Sequence, residues 1–142
     1  MVEHVVIGVD ESAKSRAAVQ FVVDEWDELK VTLVHVLNPG EAASGGSVGG
    51  FPSGAEDWYE DANERGHRYL SDAAETIPDG FEVDTRVELG SPAERIVAVA
   101  EEEGADHIVL GSHGRSGVSR LLLGSVAERV VRTSPVPVTV IR

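Results

Sequence analysis

Two short runs carry the residues best suited to hold a ligand: Gly111-Ser112-His113-Gly114 and, after nine intervening residues, Gly124-Ser125. Glycines directly after a strand let backbone N–H groups turn toward a phosphate with no Cβ in the way. Ser125-Val126-Ala127-Glu128 has the spacing of a capping box. It predicts a helix opening at Ser125, whose unsatisfied N–H groups and positive dipole end suit the same phosphate. The Ser125 hydroxyl is a further donor. Charge agrees, because Gly111 to Ser134 holds four arginines (Arg115, Arg120, Arg129, Arg132) against one acid, Glu128, in a chain of net charge −13. A basic island in an acidic protein attracts anions. Glycine spacing alone is equally consistent with a plain strand-to-helix turn in which Ser125 merely caps.

The elements that must position these residues alternate strand and helix. His4–Val9 is an apolar, β-branched run of the kind buried on both faces. A helix is predicted over Ser12–Leu29, with Ala17, Ala18, Phe21, Val22 and Leu29 facing inward, followed by a strand over Val31–Leu37. Asn38–Gly54, with six glycines and two prolines, reads as a long loop. A helix over Ala55–Thr76 contains Gly66, which weakens its continuity. Pro78-Asp79-Gly80 marks a turn before a more exposed strand over Phe81–Leu89. Ser91-Pro92-Ala93-Glu94 predicts a capped helix that runs to Glu103 and stops at Gly104. His107–Leu110 and Val136–Ile141 complete the strands. Helices linking strands imply parallel pairing with right-handed crossovers. The predicted fold is therefore α/β: a single-domain, doubly wound open sheet of about five parallel strands over 1–142, with helices on both faces. Gly111 would then lie beyond a strand's carboxyl end, where such sheets bind ligands. Pro135 and Pro137 fall two apart and mark the last strand as an edge, which suits a homodimer seam over Val136–Ile141.

Composition narrows the function classes. With 25 Asp plus Glu against 12 Lys plus Arg, the chain repels nucleic-acid backbones and anionic membranes. No apolar run approaches the ~20 residues of a membrane span, no signal peptide is visible, and cysteine is absent, all compatible with a cytoplasmic protein. The acids are spread through the chain, as in a halophilic acidic surface that maintains solubility.

The spacing Gly-x2-Gly-x9-Gly-Ser, as GSHGRSGVSRLLLGS, resembles the ATP-binding signature of universal stress proteins. The opening VVIGVDES and the closing SPVPVTVIR resemble that family's first and last strands, so the resemblance covers the whole chain. It implies that Gly8, Val9 and Asp10 line the adenine and ribose side, and that the backbone at Val36 meets the adenine ring. It places Gly111, Ser112, His113 and Gly114 around ribose and phosphates, with Gly124, Ser125 and Val126 on the phosphate tail and Arg115 in the basic loop between. The implied cofactors are ATP and Mg²⁺, the ion held chiefly by phosphate oxygens with Asp10 nearby. Gly8 departs from members that carry a bulkier residue there.

Three functions are open: a regulatory module that signals through bound adenine nucleotide; a slow ATPase or autokinase modifying Ser112, Ser116 or Ser125; and a structural stress protein with a vestigial pocket. Hydrolysis needs a group that positions water, and the motif offers only His113 and Asp10 as titratable neighbours, which favours the first. A receiver-type phospho-acceptor role for Asp10 lacks its paired acids and lysine. His4, His35 and His107 read as satisfied strand residues, Glu101-Glu102-Glu103 as a solvated helix end, and Trp26 and Trp58 as packing residues.

Overall fold

The computed structural model describes residues 2–40, 52–112 and 123–142. In chain order it forms β1 (His4–Gly8), α1 (Ala13–Glu25), β2 (Lys30–Leu37), α2 (Pro52–Glu75), β3 (Glu82–Leu89), α3 (Pro92–Glu103), β4 (His107–Gly111), α4 (Ser125–Thr133) and β5 (Val138–Ile141). The strands make one five-stranded sheet in the order β3-β2-β1-β4-β5, parallel throughout. The order reverses between β1 and β4, which creates a crevice at their carboxyl ends.

Side-chain alternation along each strand divides the core into two layers. Val5, Ile7 and Val9 of the β1 segment join Ala18, Val19 and Val22 of α1 and Leu70 of α2. Val6 instead packs with Val34, Ile108, Leu110 and the apolar stripes of α3 and α4. Val5, Val6 and Ile7 are completely buried, as a strand covered on both sides requires. β3 at the outer edge is more exposed, as its alternation predicted.

Several boundaries differ from the sequence reading. α1 ends at Glu25, four residues early, because Trp26 at its C-cap is extended; the chain then turns through Glu28 at φ 53°. Leu29 is buried, but from the connection to β2. α2 opens at Pro52, a residue suited to a first helical turn, and passes through Gly66 without a break. Ser91 takes the N-cap position of α3, yet its side chain makes no cap bond; Glu94 reaches instead to Arg129 at 3.1 Å. At α4 the N-cap is Gly124 and Ser125 is the first helical residue, while Glu128 pairs with Arg132. Neither predicted capping box forms: Ser91 makes no cap bond, Ser125 lies one residue past the N-cap, and both glutamates pair with guanidinium groups. β5 starts at Val138, since the Ser134 hydroxyl donates to the Val136 carbonyl and accepts from the Val136 N–H, closing a turn.

Glu102 and Glu103 also depart from expectation. They belong to a charged network across the α3 face of β3, not to a solvated helix end. Arg86 donates to Glu103 at 2.9 Å, Glu102 at 3.1 Å and Glu88 at 3.1 Å, and Arg95 donates to Glu88 at 2.7 Å. The buried Thr32 hydroxyl donates to Glu103 at 2.9 Å, so its oxygen accepts from His4 Nε2–H at 2.7 Å. At the other end of α1, Trp26 packs edge-on against Phe21 and His107.

Gly111 marks a tight approach of β4 to α1. A Cβ there would lie 2.6 Å from Lys14 Cβ and 2.9 Å from its backbone carbonyl carbon. At Gly8 the nearest obstacles are side-chain ends, Leu110 Cδ2 at 2.8 Å and Ile96 Cδ1 at 3.1 Å. Backbone cannot yield as a side-chain end can. Gly111→Ala should therefore destabilise by about 1–3 kcal/mol and more than Gly8→Ala, as compared by urea midpoints.

Acid should lower the stability of the protein over two pH ranges. Burial holds His107 below its ordinary pKa, so its neutral form is stabilised on folding, and stability declines as pH falls below about 6.5. Burial opposes ionisation of Glu103, but hydrogen bonds from Arg86 and Thr32 outweigh it and hold its pKa below the usual range. That contribution is present above about pH 4.3 and is lost as pH falls through the folded value. Glu103→Gln should flatten the lower decline and leave the upper one, in urea unfolding measured from pH 7.5 to 3.

Candidate functional site

The turn after β1 is wired by short-range bonds that follow from its Asp-Glu-Ser sequence. The Asp10 Oδ1 accepts from Ser12 N–H at 2.7 Å, and the Asp10 N–H donates to Ser15 Oγ at 3.0 Å. Ser12 caps α1 by accepting from Ser15 N–H at 3.2 Å. Val9 is held from both sides: its N–H donates to the Val34 carbonyl at 2.7 Å, and its carbonyl accepts from His35 Nδ1–H at 2.7 Å. His35 in turn meets Tyr69 edge-on at 5.3 Å. Gly66 explains its place inside α2 here, because a Cβ would come within 2.7 Å of the His35 ring.

Beyond β4, Ser112 is buried. Its N–H donates to the Ile141 carbonyl at 2.7 Å, and its carbonyl accepts from the Gly124 N–H at 2.6 Å. The connection from β4 to α4 thus leaves and returns at one point. α4 begins immediately afterward, with Ser125 and Val126 exposed at its first turn. His113, Gly114 and Arg115, with the rest of 113–122, lie outside the described residues.

These pieces surround one cavity of about 540 Å³ at the carboxyl edge of the sheet, a size suited to a small ligand. Gly8, Val9, Asp10, Val36, Gly111, Ser112, Gly124, Ser125 and Val126 all line it. Every described residue that the sequence singled out for the site is therefore brought together. The cavity lining is apolar on the α3 side of the sheet and polar and aromatic on the α2 side. Val34, Val36, Pro92, Ile96, Leu110 and Leu123 make up the apolar side. Glu11, Ser12, His35, Trp58, Arg65 and Tyr69 make up the polar and aromatic side.

The basic island divides differently from expectation. Arg129 pairs with Glu94 and Arg132 with Glu128 on the outer surface, and neither lines this cavity. Its described cationic side chain is Arg65, which sequence reading missed, as it missed the place of Trp58 in the wall. Their signal lay in the spacing Trp58, Ala62, Arg65, Tyr69, one helical face of α2. Of the strand histidines, His4 and His107 are satisfied by threonine hydroxyls, each at 2.7 Å. His35 is satisfied too, yet also lines the cavity. Among the described residues no cluster of three or more His, Asp or Glu side chains could hold a metal, and no helix is long and apolar enough to cross a membrane.

Comparison with known proteins agrees with this geometry. The universal stress protein family model matches residues 1–142. A universal stress protein of Methanocaldococcus jannaschii is 46% identical over 63 residues, 44% of this chain and 39% of that protein. Its solved structure superposes with a TM-score of 0.86 at 28% identity, over 99% of this chain and 96% of that one. A universal stress protein of Mycolicibacterium smegmatis is 35% identical over 97% of this chain, which spans 45% of that protein's length. The crystal structure of a universal stress protein in complex with cAMP superposes with a TM-score of 0.63 at 26% identity, over 99% of this chain and 97% of that one. The glycine-rich β4–α4 connection, the wired turn after β1 and the five-stranded parallel sheet are thus those of a chain that belongs to the universal stress protein family.

Proposed function

We propose that this chain is a nucleotide-binding regulatory protein that holds ATP at the carboxyl edge of its sheet and presents the bound state to a partner. The reading rests on the convergence of Gly111, Ser112, Gly124 and the first turn of α4 on one cavity. Exposed N–H groups at that first turn, with the dipole behind them, favour phosphate oxygens, and the Ser125 hydroxyl adds a donor. The apolar lining beside Val36, Ile96 and Leu110 suits the adenine ring, with ribose over Gly8, Val9 and Asp10. His113, Gly114 and Arg115 complete the phosphate loop in this reading. The cAMP bound by a relative supports an adenine nucleotide as the class of ligand.

Mg²⁺ would accompany the phosphates. The described side chains offer no cage for it, so phosphate oxygens would supply most of its ligands. Binding is favoured over turnover, since the carboxylates on the wall already accept bonds: Asp10 from Ser12 N–H and Glu11 from the Tyr69 hydroxyl. We place the protein in the cytoplasm as one domain over 1–142, in keeping with its lack of cysteine.

Gly124 has φ −64° and ψ 160°, an extended conformation that valine adopts without strain. Gly124→Val should therefore keep the fold while its side chain crowds the phosphate approach. Nucleotide released by denaturing the purified protein should approach one per chain for the parent and fall at least about tenfold for the variant. Equal release from both would remove the site.

We also propose a homodimer through β5. The carbonyls of Pro137 and Ile141 face β4, accepting from Ile108 and Ser112, so alternation turns the backbone of Val138 and Val140 to the free edge. Such an edge is a template for a second chain. Val140→Pro removes an outward donor and spares the bonds to β4. It should convert dimer to monomer in sedimentation velocity; an unchanged dimer would mean another seam.

A further inference from the structure

We infer that Arg65 reads the phosphate of the bound nucleotide, gripping it from α2 while Gly124 and the first turn of α4 hold it from the opposite side. The inference rests on the nucleotide reading above and deepens it. Trp58, Ala62, Arg65 and Tyr69 fall on one face of α2, and all four line the cavity. A helix face turned toward a sheet ordinarily carries apolar residues, as with the buried Ala62 here. At position 65 the same face carries a guanidinium.

Three observations say what it is for. Arg65 is half-buried and forms no hydrogen bond or ion pair with any described residue. Arg86, Arg95, Arg129 and Arg132 each contact a carboxylate; among the described bases Lys14, Arg68 and Arg142 contact none, but none of these lines the cavity as Arg65 does. The neighbouring carboxylates, moreover, are taken up elsewhere. Tyr69, one turn along from Arg65, donates its hydroxyl to Glu11 Oε2 at 3.0 Å, and Asp10 Oδ1 accepts from Ser12 N–H. Finally, the described wall carries Asp10 and Glu11 against Arg65 as its one cation. Without Arg65 that wall would carry two negative charges and repel an anion. A guanidinium left free beside such a cavity matches a phosphate, which it can contact with two parallel N–H donors.

Trp58 supplies the readout. Trp26, the other tryptophan, is packed against Phe21 and His107, so in a Trp26→Phe background the remaining indole lies on the cavity wall. Titrations of that protein with Mg-ATP, AMP, adenosine and inorganic phosphate should change its fluorescence. Arg65→Gln should weaken ATP and AMP by about tenfold or more and adenosine by less than about twofold. Arg65→Lys should recover part of the loss, and urea midpoints of the free proteins should agree. Equal weakening of adenosine and ATP, or no weakening, overturns the inference and leaves the nucleotide reading standing. Inorganic phosphate binding as tightly as ATP also overturns it, in favour of a simple anion site. A parent that binds neither ATP nor adenosine overturns the nucleotide reading and this inference with it.

Discussion

Parallel pairing of β1 with β2 on one side and β4 on the other is the constraint on which the rest of the molecule depends. A central strand in this position has both faces covered and must be apolar throughout, as Val5, Val6 and Ile7 are. Because its neighbours run the same way, their carboxyl ends meet at one edge. Along β1, polar and glycine residues then fall only at the two ends of the strand. Asp10, His35 and Ser112 all stand at or near that carboxyl edge. The chemistry of the site is thus a consequence of where the apolar runs end.

Charge is organised in the same economical way. The network joining Arg86 and Arg95 to Glu88, Glu102 and Glu103 fastens the last turn of α3 to β3. Its partly exposed members contribute less than buried pairs would, but they place the carboxyl end of α3 over β3. Thr32 and His4 extend the chain of contacts into β2 and β1. At the lower edge of the sheet Asp106 does similar work with backbone, accepting from the N–H groups of Glu3 and His4 at 2.9 and 3.1 Å. Both devices act at the edge away from the cavity, or beside it, and leave the carboxyl edge free.

Much of this was legible from residue order. Glycine and proline punctuated the elements, β-branched runs marked the strands, and Gly111, Gly124 and Asp10 pointed to the cavity edge, because strand ends and helix starts are marked by the residues beside them. What was missed depends on partners distant in sequence. Glu103 is identified as a network member by Arg86, seventeen residues away, and nothing in its own run of glutamates says so. The second capping box failed because the N-cap fell on Gly124, one residue before Ser125, and Glu94 and Glu128 pair with Arg129 and Arg132. α1 ended early at an extended Trp26, and the left-handed Glu28 that follows is a residue type that gives no warning of such a turn. Arg65 and Trp58 could be connected to the site only after α2 was laid against β2.

The 2.6 Å bond from the Gly124 N–H to the Ser112 carbonyl has a consequence for how this fold can vary. The eleven residues between them enter and leave the scaffold through a single gate, with Ile141 securing one side and the start of α4 the other. Changing the length of a segment whose ends are already pinned together costs little entropy and transmits no displacement to the sheet. The segment can therefore be exchanged as a cassette. Selection could revise or lengthen that stretch of sequence while the same sheet and helices persist.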